Sequence, residues 1–389
     1  MAGITGIGQM MEDYVKPGGS GWPHTAEEWE AAARDKLEPG PFGYIAGGAG
    51  AEHTMRANLE AFYRWRLRPR MLRGTAVRDL SVEVLGLRSP VPFLLAPIGV
   101  LSIAHPDAEL AVARAARAVG IPIILSTAAT TAMEPVAEAA GNLPRWYQLY
   151  WNSNRDVVRS FVQRAEAAGY SAIVVTLDTL TLGWRDRDLQ RAYLPFLQGE
   201  GIGQYLSDPV FRQVVGDQAD TPQGAGIASL LMHGNLGLTW ADFAWLREQT
   251  TLPLLVKGVL TAEDARTARE IGIEGIIVSN HGGRQVDGAV AALDALVEVR
   301  EALGAGYPVL FDSGVRRAAD VIKAIALGAD AILLGRPYVW GLAVGGQEGV
   351  ERVLKSLWGE LDVTMALLGA RSISELDRSW ISEAPDRAV

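Results

Sequence analysis

The chain contains no cysteine and no long apolar run. Without cysteine, its 389 residues can form neither disulfide bonds nor thiolate metal sites, and we predict no metal site. No stretch of about 18 uncharged apolar residues occurs, so the sequence predicts no membrane-spanning helix. Residues 1–11 lack the basic start and the apolar core of a signal peptide. We therefore expect a cytoplasmic protein.

Positive charge is also scarce. The chain has 36 basic residues against 45 acidic ones, which gives a net charge of −9. This balance argues against a nucleic-acid partner and against docking on anionic membranes. No G-x-G-x-x-G follows the first predicted strand, which argues against a nicotinamide dinucleotide.

Eight short apolar runs alternate with helical patterns such as Asp107–Val119 and Ala318–Leu327. The runs show almost no polar–apolar alternation, as expected of parallel strands that are buried on both faces. The runs are Phe93–Pro97, Pro122–Ser126, Arg145–Leu149, Ala172–Asp178, Pro253–Lys257, Gly275–Ser279, Pro308–Asp312 and Ala331–Gly335. Eight such units predict an α/β protein with a (β/α)8 TIM barrel, and we expect residues 1–389 to form one barrel domain.

Two regions interrupt this repeat. Residues 1–90 precede the barrel as an N-terminal extension, in which a capping box at Thr25 predicts a helix near Thr25–Leu37. Residues 183–250 form a long insertion after the fourth strand, and its middle, Gly199–Gly226, is rich in glycine, glutamine, aspartate and proline. A loop that leaves the C-terminal end of a barrel strand lies over the mouth of the barrel. We interpret this insertion as a lid.

Polar side chains and glycines follow nearly every predicted strand. The most informative segment is Ser279–Gln285, with the sequence Ser-Asn-His-Gly-Gly-Arg-Gln. In it, His281 is a base that titrates near neutral pH, and Arg284 is a fixed cation that binds carboxylates. Because the C-terminal ends of the strands meet at one rim, we expect these groups to face one site. The other residues at strand ends are Pro97, Ile98, Gly99, Ser126, Gln148, Tyr150, Thr176, Asp178, Lys257, Asp312, Gly314, Arg316, Gly335 and Arg336.

The last two loops occupy the usual phosphate position of this architecture. Gly314 and Gly335 free backbone amides, and Arg316 and Arg336 add positive charge, although such arginines can also merely cap helices. Lys257 points inward, where a bare ammonium requires an anion or an electron-rich ring. Residues suited to the hydrogen-bonding edge of a heterocycle are Ser126, Gln148 and Thr176. These features predict FMN as the cofactor.

Four segments of the chain carry a family resemblance. They are Ser279–Gln285, Val256–Gly258, Asp312–Arg317 and Leu334–Pro337. These segments closely resemble the motifs of the FMN-dependent α-hydroxy acid oxidoreductases, and the resemblance covers nearly the whole chain. Within the family, the chain is most similar to the lactate 2-monooxygenases, on the segments Leu182–Leu189, Arg191–Phe196 and Tyr205–Phe211. That subfamily converts L-lactate and dioxygen into acetate, carbon dioxide and water.

The resemblance implies a role for each matching residue. His281 takes the substrate hydroxyl proton or the α-proton, depending on whether hydride or carbanion transfer applies, and Asp178 supports it once it is charged. Tyr150 hydrogen-bonds the substrate hydroxyl, and Lys257 stabilises negative charge on the reduced flavin. The residues implied to hold the substrate carboxylate are Tyr44, Arg185 and Arg284. The residues implied to bind FMN are Pro97, Ile98, Gly99, Ser126, Gln148, Thr176, Lys257, Ser279, Asp312, Gly314, Arg316, Gly335 and Arg336.

Three functions remain open on the sequence. The first is a monooxygenase, in which pyruvate and peroxide react before they leave the site. The second is a simple oxidase of L-lactate or another short 2-hydroxy acid, or a dehydrogenase that passes electrons to a quinone or a cytochrome. The third is a barrel without redox activity, against which the set His281, Arg284 and Lys257 argues. The first two share every catalytic residue, so the lid must separate them.

Other features leave the substrate and the assembly open. Ala128 stands where several oxidases of the family carry a large aromatic residue, so the preferred chain length of the substrate is undecided. We expect a homotetramer or a homo-octamer. The remaining histidines, His24, His53, His105 and His233, are interpreted as structural.

Overall fold

Four helices and a β-hairpin precede the barrel in the computed structural model, which describes residues 6–17 and 19–384. The helices are α1 Gly6–Val15, α2 Ala26–Lys36, α3 Pro39–Ala46 and α4 His53–Tyr63. Strand β1, Trp65–Leu67, is followed by a hairpin of β2, Val82–Val84, and β3, Leu87–Ser89. The predicted helix near Thr25–Leu37 is confirmed as α2, and Thr25 forms the predicted capping box with Glu28. The signal-peptide interpretation concerns residues 1–11, of which 1–5 lie outside the described residues.

Eight parallel strands close into the predicted barrel, in the order β10-β11-β4-β5-β6-β7-β8-β9. They are β4 Phe93–Leu95, β5 Ile123–Ser126, β6 Arg145–Tyr150, β7 Ile173–Thr176, β8 Leu254–Val259, β9 Gly275–Val278, β10 Val309–Phe311 and β11 Ala331–Leu334. Each coincides with one of the eight apolar runs, so the (β/α)8 fold is confirmed. The register aligns Ser126 with Gln148 and Thr176 with Lys257, which places these polar groups side by side at the C-terminal rim.

At least one side chain from each strand packs in the barrel interior, and β11 contributes Ala331 as well. These side chains are Leu94, Ile124, Trp146, Val174, Leu255, Ile277, Leu310 and Leu333. Val84 and Leu87 of the hairpin pack into the same cluster, so the hairpin closes one end of the barrel. The other end remains available for a site.

Helices cover the outside of the barrel and bury the second, larger hydrophobic cluster. They are α5 Ala108–Val119, α6 Met133–Ala140, α7 Arg155–Ala167, α13 Ala262–Glu270, α14 Ala292–Leu303, α15 Ala318–Ala326 and α16 Arg336–Leu368. Helix α16 bends at Gly345 and Gly346, and α1 and α2 of the extension pack against it. Strand β12, Ile381–Glu383, pairs antiparallel with β1 and ties this late segment to the region before the barrel.

The insert, residues 183–250, is largely helical. Its helices are α8 Asp186–Arg191, α9 Gly203–Leu206, α10 Pro209–Val215, α11 Pro222–His233 and α12 Phe243–Arg247. This corrects the expectation of a long loop over Gly199–Gly226. Although that segment is polar overall, some of its apolar residues reach the core. Tyr205 is only 3% exposed and Phe211 is fully buried.

Hydrogen bonds fasten the insert to the loop that follows β5. The amide of Gly203 donates to the carbonyl of Ala129 at 2.9 Å. The side chain of Gln204 accepts from the amide of Met133 at 3.0 Å and donates to the carbonyl of Thr131 at 2.9 Å. This part of the insert is therefore an anchored wall. No helix among the described residues combines the length and apolarity needed to cross a membrane.

Candidate active site

A large cavity opens at the C-terminal rim of the barrel. It encloses about 1390 Å³ of empty space, including the part open to solvent. Its walls come from α3, from the strand ends and from the insert.

His281 and Asp178 face each other at this rim. The Nδ1 atom of His281 lies 2.8 Å from Oδ1 of Asp178. The hydroxyl of Thr179 donates to the same carboxylate oxygen at 2.8 Å and lies 3.1 Å from Nδ1 of His281. The pair fixes the ring and leaves its other nitrogen, Nε2, for chemistry in the cavity.

The electrostatics of this pair suit a base. Burial lowers the pKa of His281, and the charge of Asp178 opposes that shift without cancelling it. Burial alone would raise the pKa of Asp178, but the positive charges of His281 and Lys257 outweigh it and lower that pKa to about 2. At neutral pH the imidazole is therefore neutral beside an ionised carboxylate, and it can accept a proton.

Two serines hold the loop that carries His281. The backbone of His281 is left-handed, with φ at 58°, which histidine adopts more readily than β-branched residues do. Its amide donates to the hydroxyl of Ser279 at 3.0 Å. The hydroxyl of Ser313 accepts from the amides of Gly282, at 3.0 Å, and Asn280, at 3.3 Å. The next strand end thereby supports the loop.

Lys257 is a buried cation with a local counter-ion. Its Nζ donates to the hydroxyl of Ser279 at 2.9 Å and lies 3.4 Å from Oδ2 of Asp312. Burial lowers the pKa of Lys257, but Asp312 and Asp178 outweigh that effect and raise it. The ammonium therefore stays charged where it borders the cavity.

Two arginines and a tyrosine form a cluster on the opposite wall. The NH1 group of Arg284 donates to the carbonyls of Tyr44, at 2.6 Å, and Gly47, at 2.7 Å. The guanidinium groups of Arg284 and Arg185 lie 5.0 and 5.6 Å from the ring centre of Tyr44. Burial and the neighbouring charge of Arg185 lower the pKa of Arg284 to about 10, so it remains a cation.

This cluster can bind an anion. Among the described residues, the NH2 group of Arg284 has no hydrogen-bond partner, since both of its bonds run from NH1. Arg185 is fixed by bonds from Nε to the carbonyl of Arg284, at 3.2 Å, and from NH2 to Gln285, at 3.1 Å. Two like charges held this close favour a carboxylate between them.

Tyr150 lines the same cavity and meets a residue that the sequence interpretation set aside. Its ring lies 4.5 Å from the ring of His233, centre to centre, with the planes at 63°. Burial raises the pKa of Tyr150, so its hydroxyl is a proton donor over the physiological range. No sequence pattern marked His233, because it lies in the insert about 80 residues after Tyr150.

Just behind the cavity surface, Ser126 and Gln148 form a polar pair that fits the edge of a heterocycle. The hydroxyl of Ser126 donates to Oε1 of Gln148 at 2.9 Å, which orients the amide. Nε2 of Gln148 is then buried without a hydrogen-bond partner among the described residues. A buried amide donor of this kind requires an acceptor, which a flavin carbonyl would supply.

The other end of the cavity fits a phosphate. Arg316 and Arg336 both line it, and burial lowers the pKa of each. Helix α16 begins at Arg336 without a side-chain cap. Pro337 has no amide hydrogen and the amide of Tyr338 donates to the carbonyl of Gly335 at 3.2 Å, so among the first three residues of the helix only the amide of Arg336 is available to an anion. Gly314 has φ at 100°, and a Cβ there would come within 2.5 Å of the carbonyl of Asn58. Clustered buried cations at a helix N-terminus call for a dianionic group.

Arg336 also connects two segments of the chain. It donates three hydrogen bonds, to the carbonyls of Ile45 at 3.0 Å, Gly282 at 3.1 Å and Gly47 at 2.9 Å. These bonds join the end of α3 to the His281 loop. The extension is thus held against the site, which explains how Tyr44 reaches it.

The structure gathers the predicted site residues around this one cavity. Those at its surface are Tyr44, Pro97, Ile98, Gly99, Tyr150, Arg185, Lys257, His281, Arg284, Asp312, Gly314, Arg316, Gly335 and Arg336. Those behind its surface are Ser126, Gln148, Thr176, Asp178 and Ser279. Thr179, Ser313 and His233 were not among the predicted residues.

Known proteins match nearly all of the chain. The profile of the FMN-dependent dehydrogenase family matches residues 33–383. The L-lactate oxidase of Lysinibacillus sphaericus (strain C3-41) is 43% identical over 355 residues, which are 91% of this chain and 92% of that protein. 2-Hydroxyacid oxidase 1 of Mus musculus is 40% identical over 364 residues, which are 92% of this chain and 96% of that protein.

A solved structure has the same fold as this chain. The crystal structure of mandelate oxidase with (S)-2-phenylpropionate matches with a TM-score of 0.81 and 36% identity, over 93% of this chain and 99% of that one. The match runs through the barrel, and the cavity fits a flavin at its floor and a phosphate at its end. The chain therefore belongs to the family of FMN-dependent α-hydroxy acid oxidoreductases.

Proposed function

We propose that the protein oxidises a short L-2-hydroxy acid, with L-lactate as the first candidate, and passes the electrons from FMN to dioxygen. The balanced reaction converts the 2-hydroxy acid and dioxygen into the 2-keto acid and hydrogen peroxide. The observation that carries the proposal is the neutral His281 beside Asp178, facing the same cavity as the open guanidinium of Arg284. Relatives named L-lactate oxidase and 2-hydroxyacid oxidase support this reaction.

The carboxylate of the substrate binds first in this scheme. Arg284 offers its NH2 group, and Arg185 adds a second positive charge beside the ring of Tyr44. A planar guanidinium fixes both the position and the direction of a carboxylate. The hydroxyl on the α-carbon is then directed toward Tyr150 and His281.

His281 removes a proton from the bound substrate. Its Nε2 faces the cavity while Nδ1 is held by Asp178 at 2.8 Å. The imidazolium that forms is stabilised by the ionised Asp178, which favours transfer of the proton to Nε2. Whether the proton comes from the hydroxyl or from the α-carbon, the same nitrogen accepts it.

FMN supplies the two-electron sink for the α-carbon when it is bound. Lys257 would offset negative charge on the flavin ring, and Gln148 would donate to its polar edge through Nε2. Pro97, Ile98 and Gly99 line the same cavity and would border the ring. Arg316 and Arg336 would hold the flavin phosphate. Ser126, Thr176, Ser279, Asp312, Gly314 and Gly335 complete this set.

A lactate 2-monooxygenase is the second candidate. The anchored wall formed by the insert favours it, because retained pyruvate would meet peroxide before either leaves. The matches favour the simple oxidase, since the relatives carry oxidase or dehydrogenase names. We therefore place the oxidase first and leave the fate of the keto acid to experiment.

The test is a product analysis with the holoenzyme under air. L-lactate is supplied, and pyruvate, hydrogen peroxide, acetate and carbon dioxide are all quantified. The proposal predicts pyruvate and peroxide in a 1:1 ratio. Acetate and carbon dioxide without free peroxide would establish the monooxygenase instead. Absence of any turnover with lactate, glycolate and mandelate would refute both.

A further inference from the structure

His233 is an ionisable side chain on the cavity wall that the proposed reaction does not use. It ends α11 of the insert, and its ring packs edge-on against Tyr150 at 4.5 Å between centres. Among the described residues, neither of its ring nitrogens has a hydrogen-bond partner, although the ring borders the cavity. A polar ring without a partner in an enclosed site is a candidate contact for a ligand.

The backbone on both sides of His233 is tied to the barrel. The carbonyl of Met232 accepts from the amide of Ser153 at 2.9 Å, in the loop after β6. The amide of Asn235 donates to the carbonyl of Leu180 at 3.2 Å, in the segment after β7. The imidazole is therefore held in place before any ligand arrives, as a specificity contact must be.

His233 is neutral under ordinary conditions. Burial, together with the nearby charges of His281 and Arg185, lowers the pKa of His233 to about 4. A neutral imidazole can donate one hydrogen bond and accept another, but it offers no charge. The insert also brings Phe196, Leu230 and Ser229 to the cavity.

Three of the four groups on the α-carbon of the substrate are assigned to other residues of the cavity, which leaves the wall at His233 for the remaining substituent. The carboxylate faces Arg284 and Arg185, and the hydroxyl faces Tyr150 and His281. The C–H bond that is broken must face the flavin. The fourth group on the tetrahedral carbon then points toward the insert, which contributes His233 to the cavity lining.

We propose that His233 forms a subsite for this substituent, and that the subsite takes an uncharged group that can hydrogen-bond, such as the hydroxymethyl of L-glycerate. The inference rests on the proposed function and names its substrate class. An ethyl group of similar size would leave the imidazole unpaired, and a second carboxylate would lose its hydration beside an uncharged imidazole.

The experiment compares L-glycerate with L-2-hydroxybutyrate, in which a methyl replaces the hydroxyl, using the holoenzyme. The wild type should show a kcat/KM for glycerate that is about 5- to 10-fold higher, because a neutral hydrogen bond contributes about 1 kcal/mol. His233→Leu should remove this preference. His233→Gln should keep most of it, since the amide also donates and accepts. L-Malate should be a poor substrate for all three proteins.

FMN content is measured first, so that each ratio comes from a loaded enzyme. A wild-type ratio of one or below would overturn the subsite without any variant. A preference for glycerate that survives in flavin-loaded His233→Leu would overturn it too. These outcomes leave the proposed function standing, because both substrates still turn over. If no 2-hydroxy acid reduces the flavin, the proposed function and the subsite fall together.

Discussion

Replacing Asp178 with asparagine isolates the contribution of one negative charge. The amide retains an oxygen that can accept the Nδ1 proton of His281, so the 2.8 Å contact and the ring orientation should survive. What disappears is the charge that stabilises the imidazolium once the proton has moved. The variant therefore tests the electrostatic role of Asp178 apart from its role in positioning.

The size of the effect follows from the geometry. Two unit charges about 4 Å apart interact by about 4 kcal/mol at an effective dielectric constant of about 20. One tenfold change in rate corresponds to about 1.4 kcal/mol, so the upper limit is roughly a thousandfold. Because the amide dipole recovers part of this stabilisation, we expect flavin reduction to slow by about 100- to 1,000-fold.

The pH dependence should also shift, with a defined sign. The charge of Asp178 raises the pKa of His281 against the larger effect of burial. Its removal lowers that pKa, so the base is deprotonated at lower pH. The acid limb of the rate profile should therefore move to lower pH while the plateau falls.

The assay is anaerobic stopped-flow reduction of the flavin by L-lactate, at several pH values. Asp264→Asn, on the exposed first turn of α13, serves as a control of the same chemistry away from the cavity. A plateau within a few-fold of the wild type would refute the reasoning. So would an acid limb that moves to higher pH.

Three further perturbations test other parts of the site. Arg284→Lys should lower kcat/KM for L-lactate by about 10- to 100-fold in steady-state assays, because a directed, charged hydrogen bond is worth about 1.5–3 kcal/mol; unchanged parameters would exclude the carboxylate contact. Lys257→Met should slow flavin reduction by about 100-fold and make the flavin potential more negative, since it removes a preorganised charge; an unaltered potential would contradict this. Deletion of residues 199–226 should give insoluble or flavin-free protein, because Tyr205 and Phe211 each contribute about 1.5–3 kcal/mol of burial; a soluble yellow variant would show that this segment is dispensable.

The strands could be predicted because their pattern is local. Strands such as Ile123–Ser126 and Ile173–Thr176 are apolar up to their last residue, as expected of strands buried on both faces. Once eight such runs were recognised, the topology of the barrel brought His281, Lys257 and Asp178 to one rim without further information. The main polar groups of the site followed from this rule.

The insert could not be predicted in the same way. Its helices α9 and α10 are short, and their apolar residues pack against distant parts of the chain instead of following one helical face. The role of His233 could not be predicted either, because it depends on the tertiary contact between the end of α11 and Tyr150. The roles of Thr179 and Ser313 could not be predicted, because hydroxyls are common in loops and only the geometry shows which of them support a base. The oligomeric state and the cellular location stay predictions.

The central claim is that His281 acts as the base when a 2-hydroxy acid reduces the FMN of this protein. It is tested most directly by mixing the holoenzyme with L-lactate without dioxygen and recording flavin absorbance in a single turnover. The wild type should be fully reduced, with one pyruvate formed per flavin. His281→Gln, loaded with FMN to the same extent, should be reduced at least about 100-fold more slowly, as expected for loss of a general base. Equal rates in the two proteins, or a wild-type flavin that stays oxidised with every short 2-hydroxy acid, would contradict the account.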